Sequence, residues 1–514
     1  MMENPQKKKI TINLISLYDV ENNAVRGIAA LLRKNGYRVF EIYFKNWVNN
    51  RLFWPKEREL DNLVDILRNT NPDLIGISLR ASAYLKVAIL ITKHIKRFLE
   101  IPVVWGGLHP TLVPEECIEF ADIVCRGEGE YPILELADSI SKQKDINNIS
   151  NLWIRRGKEI KRNEIRPLIQ NLDELPFLDY TSKNKYYIDN RRVFVGDPVI
   201  KRPLFRIMAS RGCLFNCSYC YNSILKKIYQ GKGKYFRYRS VKNVIEELCR
   251  IKQIFKNLKY IRFDDEMFIF NKEWIKEFCQ EYRKRVNLPF ECFLCPENYE
   301  EELLPRLKQA GLKVVYMGIE GSDRINKVLY NRKFSVKDIL GNVRTFHKLS
   351  LDARYQIILD DPLSTEEDKR TFFEFLMDLP RPFELYLFSL TIFPKTKLAE
   401  ALLAQGLINE SDIEGKAMKT FSQLRVDLSF PRAKSDQFWI SLIVLISKSF
   451  VPKSLIHKLS RSKFLYKHPR PLVIFSQISN LLKMVWVVFK MFLRGEMTWV
   501  QFRQWANPRS LITQ

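Results

Sequence analysis

The sequence predicts an α/β protein with two successive parallel sheets, and three observations carry that prediction. Strand-like and helix-like segments alternate from residue 10 to about residue 140, and a second alternation runs from Phe205 to about residue 400. A polar stretch containing Leu175-Pro176 and Asp197-Pro198 separates the two blocks, and beyond Leu407 only helical patterns follow. Parallel strands joined by helices form doubly wound sheets or barrels.

The composition is that of a folded protein, and its net charge favours an anionic binding partner. The chain has 514 residues, of which 46% are hydrophobic and 28% charged; this excludes a wholly disordered chain. Such a length corresponds to about three domains. The 84 Lys and Arg against 58 Asp and Glu give a formal net charge of +26. This charge favours nucleic acid, phospholipid headgroups or a phosphorylated substrate without choosing among them.

The predicted location is cytoplasmic, with peripheral association at the inner membrane surface as an alternative. No secretory signal is expected, because the first nine residues run directly into the strand-like ITINLISLYDV. The nine cysteines are too sparse for a disulfide scaffold and three of them are clustered, which indicates a reducing compartment and metal chemistry. The sequence has no uncharged apolar run of about 18 residues, so a membrane-spanning helix is not predicted.

The first block predicts a doubly wound sheet over residues 8–145. Its strands are expected at ITINLISLY, RVFEIYF, DLIGISL, PVVWGG and ADIVCRG, with helical spacing between them. In such a sheet, ligands bind beyond the carboxyl ends of the strands. The small or polar residues that this chain places there are Ser78, Gly106, Gly107 and Gly127.

Residues 146–200 are predicted as an irregular linker, residues 201–406 as six βα units and residues 407–514 as a basic helical region. The strands of the six units are RIMAS, YIRFDD, FECFL, VVYMGIE, ARYQIIL and LYLFSLTIF. Six units are two short of a full barrel, so we expect an open partial barrel with its reactive site at the carboxyl ends of the strands. Cys292 and Cys295 are expected to be interior barrel residues rather than a second metal site.

The first barrel strand is followed at once by RGCLFNCSYCYN, which carries the motif with the clearest chemistry. Cys213, Cys217 and Cys220 have C-x3-C-x2-C spacing. A loop of this size lets three thiolates bind an iron–sulfur cube, and the missing fourth cysteine leaves one iron open to a methionine-type ligand. Gly212 permits the backbone conformation that is needed where the chain turns sharply away from the strand. The alternatives are chance spacing and a zinc loop, which lacks a fourth ligand nearby.

With Tyr219 before its last cysteine, this loop resembles that of the radical S-adenosylmethionine (SAM) superfamily. The resemblance implies a [4Fe-4S] cluster that passes an electron to SAM, whose cleavage yields a 5′-deoxyadenosyl radical. It also implies a six-unit partial barrel, in agreement with the strand count. Further SAM contacts in that family come from later strand ends. By position these are Asp264, Asp265, Gly318, Glu320 and Asp360, and Tyr219 of the loop is a further expected cofactor contact. An acid at a strand end can equally be solvated or cap the next helix.

The N-terminal block is similar to the cobalamin-binding domain of class B radical SAM methylases and their relatives. The similarity lies in GISL, WGGLHPT and RGEGE, which occur in the expected order before the cysteine loop. It implies that cobalamin binds at the strand ends, where glycines admit a bulky flat ligand and serine and backbone groups meet its dimethylbenzimidazole tail. The residues that carry this expectation are Ser78, Gly106, Gly107, His109, Gly127 and Glu128.

Three stretches depart from the family patterns. YDVENNAVRG lacks the D-x-H-x-x-G that supplies a lower axial histidine in other cobalamin proteins, so a bound cobalt is expected to have an open or water-filled lower face. The glycine-rich stretch that usually follows the fifth barrel strand reads ILDDPLSTEED, and the turn after the sixth reads FPKTKL. These two departures bear on substrate and SAM contacts, not on the cluster.

The resemblance implies cobalamin-dependent methylation of an unactivated carbon, with cyclisation or rearrangement on the same scaffold as the alternative. A tRNA-modifying methylthiotransferase would account for the positive charge, but it needs three further cluster cysteines where this chain has Cys117 and Cys125. A non-catalytic iron–sulfur protein would normally have a fourth cysteine ligand. We therefore expect an enzyme with a lipid or natural-product precursor as substrate, flavodoxin or ferredoxin as electron donor, and no nucleic-acid partner.

The basic C-terminal region contains the apolar segments FWISLIVLIS and PLVIFSQISNLLKMVWVVFKMFLRG. Beyond Phe438 it has twelve Lys and Arg against the single acid Glu496. One interpretation is a helical cap on the barrel with its charges in solvent. The other is a helix in the plane of a membrane surface, with basic residues at the headgroups and apolar residues buried. Lys483 and Lys490 argue against spanning but not against lying on a bilayer.

Overall fold

Two parallel sheets and a helical region follow one another in the computed structural model of the chain. The structure describes residues 10–46, 54–298, 302–410, 412–413 and 432–493. Of the predicted basic C-terminal region, residues 411, 414–431 and 494–514 lie outside the described residues. The predicted α/β class and the partial barrel are confirmed.

The first sheet is built around five parallel strands from the predicted doubly wound block. They are β1 (Thr11–Leu17), β2 (Arg38–Phe44), β3 (Leu74–Ser78), β4 (Val103–Gly106) and β5 (Ile123–Cys125). The helices of this part are α1 (Asn23–Lys34), α2 (Glu57–Thr70), α3 (Leu85–Phe98), α4 (Leu108–Leu112), α5 (Pro114–Cys117) and α6 (Glu130–Ser141). The spatial order is β5-β4-β3-β1-β2, and β1 is buried throughout because helices pack on both faces. The strand order reverses between β1 and β3, so the loops after them flank a crevice suited to a ligand.

Two β-hairpins extend this sheet, and both come from the segment predicted as an irregular linker. Their strands are β6 (Leu152–Arg156), β7 (Glu159–Arg162), β8 (Lys185–Asp189) and β9 (Arg192–Val195). β6 pairs with β5 at one edge, and β8 pairs with β2 at the other. Gly157 and the pair Asn190-Arg191 supply the positive φ angles of tight turns. The linker prediction is wrong here because strands of four or five residues without an Asn-Gly or Asp-Gly turn leave little local signal.

The remaining strands form the partial barrel and a small ladder beside it. They are β10 (Leu204–Ile207), β11 (Ser210–Arg211), β12 (Arg237–Tyr238), β13 (Tyr260–Phe263), β14 (Phe290–Leu294), β15 (Leu312–Glu320), β16 (Asp352–Leu359) and β17 (Glu384–Ser389). β10 and β13 to β17 are parallel and neighbours in chain order, and β11 pairs antiparallel with β12. The helices are α7 (Tyr221–Ile228), α8 (Val241–Ile254), α9 (Lys272–Arg285), α10 (Leu303–Ala310), α11 (Val336–Lys348), α12 (Glu366–Asp378) and α13 (Lys397–Ala404).

Alternation along the barrel strands separates a helix-covered outer face from an open inner face. Ile261 and Phe263 of β13 share a core with Phe278 of α9, whereas Arg262 between them is half-buried. Several helices begin at side chains that accept a backbone N–H of the first turn, which stabilises the helix start. These caps are Asn22, Ser240, Asn271, Ser335, Thr365 and Thr396.

Four helices follow the barrel. They are α14 (Lys434–Ile446), α15 (Lys453–Ser460), α16 (Lys463–Lys467) and α17 (Arg470–Leu493). Trp439 attaches α14 to α12, since its Nε1 donates to Glu366 over 2.5 Å and its ring lies 5.4 Å from that of Phe373. α17 packs on α14. Within the described part of the chain, no helix combines the length and the apolarity needed to cross a bilayer.

Candidate active site

The three cysteines of the predicted motif lie in one loop between β11 and α7. All are free thiols and are partly buried. Cys220 directly precedes α7, and a single residue, Gly212, separates β11 from Cys213. Gly212 has a φ of +86°, and a Cβ there would lie 2.4 Å from the carbonyl oxygen of Tyr235. Glycine is therefore required where the chain enters the loop.

Burial makes these thiols weak acids unless a cation is beside them. It raises the pKa of Cys217 to about 11, and it also raises the pKa values of Cys213 and Cys220. The charge of neighbouring thiolates contributes to the raised pKa at Cys217 and Cys220, so the sulfurs lie close enough to influence one another. Bound iron supplies the positive charge that keeps such groups as thiolates. The loop thus fits the cluster that its spacing predicts.

A site for a single metal ion needs its ligands grouped around one point, unlike a cubane cluster. Among the residues that the structure describes, no three or more His, Cys, Asp or Glu side chains are grouped so as to hold one metal ion. In a cubane cluster each cysteine binds a different iron, so the sulfurs need not converge on one point.

A buried arginine connects the cysteine loop to the end of β15. Arg332 is 6% exposed; its Nη1 donates to Glu320 Oε1 over 3.0 Å, and its Nη2 lies 3.7 Å from Cys295 Sγ. Tyr219 donates its hydroxyl to the same Glu320 oxygen over 3.4 Å. The Nε of Arg332 is buried and has no hydrogen-bond partner among the described residues, so it can donate to a ligand.

Three of the predicted SAM contacts come together here. Tyr219 and Glu320 share a hydrogen bond, and a Cβ at Gly318 would lie 2.3 Å from Glu320 Oε1. Burial raises the pKa of Glu320, and the charge of Arg332 opposes that rise. Sequence reasoning missed Arg332, because nothing in the local stretch NRKF distinguishes it from other loop arginines.

The two acids after β13 have different surroundings. Asp264 pairs with Arg206 at 2.5 Å and with Arg262 at 2.8 Å. Asp265 is 1% exposed and accepts hydrogen bonds from the Ala209 backbone N–H, over 3.2 Å, and from the Ser210 hydroxyl. Burial raises the pKa of Asp265 to about 7. Asp265 thus braces the backbone that leads into the cysteine loop.

Asp360, the predicted contact after β16, is engaged by the C-terminal region. Arg432, just before α14, donates to its carboxylate from Nε over 2.7 Å and from Nη2 over 2.9 Å. The hydroxyl of Ser389 donates to the same carboxylate. The structure therefore does not group this side chain with those around Glu320.

Glycines of the first sheet line a slot at the carboxyl ends of its strands. The small and polar lining residues are Gly76, Ser78, Gly106, Gly107, Gly127 and Gly129. Apolar side chains close the walls. A Cβ at Gly107 would lie 2.7 Å from the carbonyl oxygen of Leu79, and one at Gly127 would lie 1.8 Å from Tyr229 Oη. Bare backbone between apolar walls fits a flat aromatic group such as the tail of cobalamin.

His109 and Glu128, which the sequence grouped with the slot, have other partners. His109 is 4% exposed, with Nδ1 2.9 Å from Ser82 Oγ and Nε2 3.4 Å from the carboxylate of Glu116. The Glu128 carboxylate binds arginines of the barrel. No histidine lies among the described residues that line the slot.

The slot and the barrel meet across a shared cleft. Glu21, in the loop after β1, accepts hydrogen bonds from Arg202 over 2.8 Å and from Arg206 over 2.9 Å. A cavity of about 350 Å³ adjoins the slot at Gly127 and extends to Arg211, two residues before the first cysteine of the loop. The strand ends of the first sheet thus face the entry to the cysteine loop.

Arg80, after β3, brings positive charge to this cleft. It pairs with Asp19 at 2.9 Å, and its side chain remains 62% exposed. Glu266 raises the pKa of Tyr221, and Arg80 is near enough to oppose that rise. Since Tyr221 directly follows Cys220, the loop after β3 lies near the cysteine loop as well.

Comparisons with known proteins divide the chain in the same way. Residues 11–137 match the B12 binding domain family, and residues 207–376 match the radical SAM superfamily. PH0819 of Pyrococcus horikoshii, a methyltransferase described as uncharacterised, is 29% identical over 355 residues, which cover 68% of this chain and 73% of its own length.

Two solved structures share the fold over most of the chain. The radical SAM methyltransferase TsrM of Kitasatospora setae, solved with cobalamin and a [4Fe-4S] cluster, has a TM-score of 0.61 at 15% identity and is covered to 99%, against 91% of this chain. OxsB, a cobalamin-dependent SAM radical enzyme solved with aqua-cobalamin and SAM, has a TM-score of 0.63 at 17% identity and is covered to 82%, against 95% of this chain. Both domain families are present in the predicted order, and the chain is a radical SAM protein with an N-terminal B12-binding domain.

Proposed function

We propose that this protein is a cobalamin-dependent radical SAM methyltransferase that acts on an unactivated carbon. The observation that carries the proposal is the cleft that adjoins the glycine-lined slot at Gly127 and reaches Arg211, two residues before Cys213. When bound, the [4Fe-4S] cluster supplies the electron that cleaves SAM, and cobalamin supplies the carrier of the methyl group. A substrate in this cleft lies between the two sites.

The residues of the barrel hold and orient the first cofactor pair. Cys213, Cys217 and Cys220 would hold the [4Fe-4S] cluster, and because the loop has no fourth cysteine the cluster could bind SAM. Arg332 is held by Glu320 and keeps one buried N–H to donate to a SAM oxygen. Gly318 and Tyr219 complete the proposed SAM side of the site around Glu320. Asp264 and Asp360 are proposed to line it from neighbouring strand ends, where arginines hold their carboxylates, and Asp265 is proposed to act through the loop backbone.

The first sheet accommodates cobalamin. Ser78, Gly106, Gly107 and Gly127 form the slot for its tail, because side chains at these glycines would fill or distort it. His109 is proposed to stabilise the loop after β3, next to the slot, through its contact with Ser82.

Anaerobic reconstitution tests the proposal. We expect the protein loaded with iron and sulfide, and then given SAM and dithionite, to release 5′-deoxyadenosine, which mass spectrometry detects, and to hold corrinoid seen by its absorbance. Cys213→Ala should abolish cleavage. The matched control, Cys249→Ala, changes a partly buried cysteine of α8 outside the loop and should leave it intact. No cluster and no cleavage, under conditions in which a known radical SAM enzyme works, would refute the proposal; cleavage with a cyclised product would refute methyl transfer alone.

A radical SAM protein needs a substrate and a reductant. We propose flavodoxin or ferredoxin as the reductant, since an acidic carrier complements the net charge of +26. For the substrate we propose a lipid or natural-product precursor that the protein meets at a membrane surface.

α17 supports the membrane part of this proposal, because its apolar face is turned outward. Its fully buried positions include Ser476 and Ser479, and its Lys483 donates to Glu384 of the barrel over 3.1 Å. Among the side chains that the structure describes between Ile474 and Leu493, nine large apolar ones are exposed. A contiguous apolar face of this kind marks a surface that binds something.

Basic residues precede this face along the chain. Lys453, Lys458, Lys463 and Lys467 lie on α15 and α16, and the sequence contains no acid between Asp436 and the end of α17. Anionic headgroups attract such residues with about 1 kcal/mol each. The proposed occupant is therefore an anionic bilayer, with α17 in the plane of its surface.

Vesicle flotation of the full chain tests this part. The protein should float with vesicles that contain phosphatidylglycerol, and the double substitution Leu482→Glu and Trp486→Glu should abolish flotation, since both side chains are 56% exposed. Val195→Glu is the matched control, because this side chain on β9 is 80% exposed and lies on the first sheet. Equal flotation of both variants would contradict the proposal, as would binding to another copy of the chain with no binding to vesicles.

A further inference from the structure

The carboxylate of Glu128 is fixed by three donors from outside the B12-binding domain. Arg211 donates to its Oε1 over 3.0 Å, and Arg237 donates to the same oxygen over 2.9 Å. The backbone N–H of Ile169 donates to its Oε2 over 2.9 Å. With these bonds made, the side chain faces the barrel and not the slot.

The first of these arginines is part of the cysteine loop's base. Arg211 is the residue before Gly212, and its Nη2 also donates to Glu130 over 2.6 Å. Two carboxylates of the RGEGE stretch thus hold one guanidinium at two nitrogens, an arrangement that fixes its orientation. The end of the loop that carries Cys213 is therefore held by the first domain.

The second arginine leads to the other end of the loop. Arg237 donates from Nε to the carbonyl oxygen of Tyr235 over 3.3 Å. The hydroxyl of Tyr235 donates to Asn222 Oδ1 over 2.6 Å, and Asn222 Nδ2 lies 3.7 Å from Cys220 Sγ. Hydrogen bonds therefore connect Glu128 to the sulfur of Cys220 through Arg237, Tyr235 and Asn222, with the covalent frame of Tyr235 joining its carbonyl group to its hydroxyl.

The backbone around Glu128 belongs to the slot at the same time. Gly127 and Gly129 line it. The Gly127 N–H donates to Thr111 over 2.8 Å and the Glu128 N–H donates to Tyr229 Oη over 3.0 Å, so this backbone has little freedom. One short segment thus contacts the slot with its backbone and the cysteine loop with its side chain.

We propose that Glu128 is a positioning residue that holds the cysteine loop in register with the cobalamin slot, through Arg211 at one end and through Arg237, Tyr235 and Asn222 at the other. This role differs from the cobalamin contact that the sequence predicts. It rests on the cofactors of the proposed function but not on methyl transfer, so either can fail without the other. Hydrogen bonds to cluster sulfurs change the electronic state of a cluster, and groups that orient metal ligands typically contribute about 10- to 100-fold to affinity or activity.

The test compares Glu128→Gln with Glu115→Gln. Glu115 also faces the barrel, 3.6 Å from Lys395, but both side chains are exposed, and among the described residues no hydrogen bond or ion pair joins Glu115 to the cysteine loop. After anaerobic reconstitution we would measure iron and sulfide content, the EPR spectrum of the reduced cluster with and without SAM, and the affinity for hydroxocobalamin by absorbance. For Glu128→Gln we expect an altered EPR spectrum, SAM cleavage lowered about 10- to 100-fold and corrinoid affinity within about twofold of wild type, and for Glu115→Gln no change.

Two results would overturn the proposal. Weakened corrinoid binding with an unchanged EPR spectrum would make Glu128 a cobalamin contact, and an unchanged spectrum with unchanged cleavage would remove any role. If Glu128→Gln does not fold, Tyr235→Phe provides the second test, because it removes one hydroxyl from the chain and leaves the ion pairs in place. Tyr235→Phe should alter the EPR spectrum, and a wild-type spectrum would show that Tyr235 does not connect Glu128 to the cluster.

Discussion

Gly212→Ala is expected to prevent the cysteine loop from forming, and Gly231→Ala is its matched control. The two glycines have similar positive φ angles, +86° and +73°. Alanine at either position therefore costs about 1–2 kcal/mol for the left-handed backbone. The positions differ in space: a Cβ at Gly231 meets no atom within 4 Å, whereas a Cβ at Gly212 would lie 2.4 Å from the Tyr235 carbonyl oxygen.

That oxygen has little room to move. Tyr235 lies two residues before Arg237 of β12, which pairs with β11, and Arg237 Nε donates to the oxygen itself. Relief of the overlap should add about 1–3 kcal/mol, the usual cost of overpacking. The total for Gly212→Ala is then about 2–5 kcal/mol, against about 1–2 kcal/mol for Gly231→Ala.

Urea unfolding of the metal-free protein measures the two losses in the free energy of unfolding, and iron content after reconstitution measures the consequence for the loop. We expect Gly231→Ala to bind iron as wild type does and Gly212→Ala to retain little. Equal destabilisation of the two variants with full iron content in both would refute the steric argument, since it would mean that the loop adapts to a side chain at this turn.

The remaining predictions concern two buried charges and the slot. Burial raises the pKa of Asp265 to about 7, so the native state keeps the proton of this carboxyl group and loses stability as pH rises through that value. The free energy of unfolding in urea should fall by about 2–3 kcal/mol between pH 5 and pH 8 in wild type and not in Asp265→Asn. An equal pH dependence in both proteins would contradict this. Arg332→Gln leaves the buried Glu320 without its charged partner, so it should lower the free energy of unfolding by about 3 kcal/mol and weaken SAM binding in calorimetry of the cluster-loaded protein. Undiminished SAM binding would exclude Arg332 from the site. Gly127→Ala should weaken corrinoid binding because its Cβ overlaps the hydroxyl of Tyr229, and Tyr229→Phe in the same chain should restore part of the affinity. If the affinity does not recover, the loss of affinity comes from the backbone angle alone.

The barrel strands could be predicted from the sequence because alternation along a strand is a local property. FECFL coincides with β14, and ARYQIIL coincides with β16 but for its first residue, Asp352. The cluster ligands could be predicted for the same reason, since Cys213 to Cys220 form one short loop whose spacing is visible in the chain.

Partners that are distant in sequence could not be predicted in this way. Glu128 and Arg211 are 83 residues apart, and nothing beside either residue indicates the other. The position of Glu128 at a strand end predicted a contact with the ligand. The backbone around Glu128 does line the slot, but the side chain is long enough to reach the barrel instead. Arg332 was missed similarly, because its buried position depends on how the chain folds back from β15 to the cysteine loop.

The inner face of the barrel is charged where a closed barrel would be packed with branched apolar side chains. Arg262 and Arg354 both lie over the ring of Tyr316, at 4.6 and 5.2 Å, and both approach Glu291, at 3.8 and 3.7 Å. These arginines also donate to Asp264 and to the Tyr316 hydroxyl, but the Nε of Arg354 has no hydrogen-bond partner among the described residues, and removing water from such groups costs free energy unless a polar ligand replaces it. A wholly apolar substrate would displace that water without replacing its bonds, so we expect the part of the substrate that enters the barrel to be polar.

The C-terminal region connects this charged layer to the proposed membrane surface. Glu384, at the start of β17, lies 3.5 Å from Arg354 on the inner face and accepts from Lys483 of α17 over 3.1 Å. One side of α17 thus touches the polar layer while the other presents apolar side chains outward. An amphiphile fits both environments, with a polar head among the arginines and an apolar chain along α17. We therefore expect the reconstituted enzyme to convert amphiphiles with an anionic or hydroxylated head, to lose that conversion in Arg354→Leu while still cleaving SAM, and to leave the corresponding hydrocarbons unreacted; conversion of the bare hydrocarbon would mean that the charged layer lies outside the substrate path.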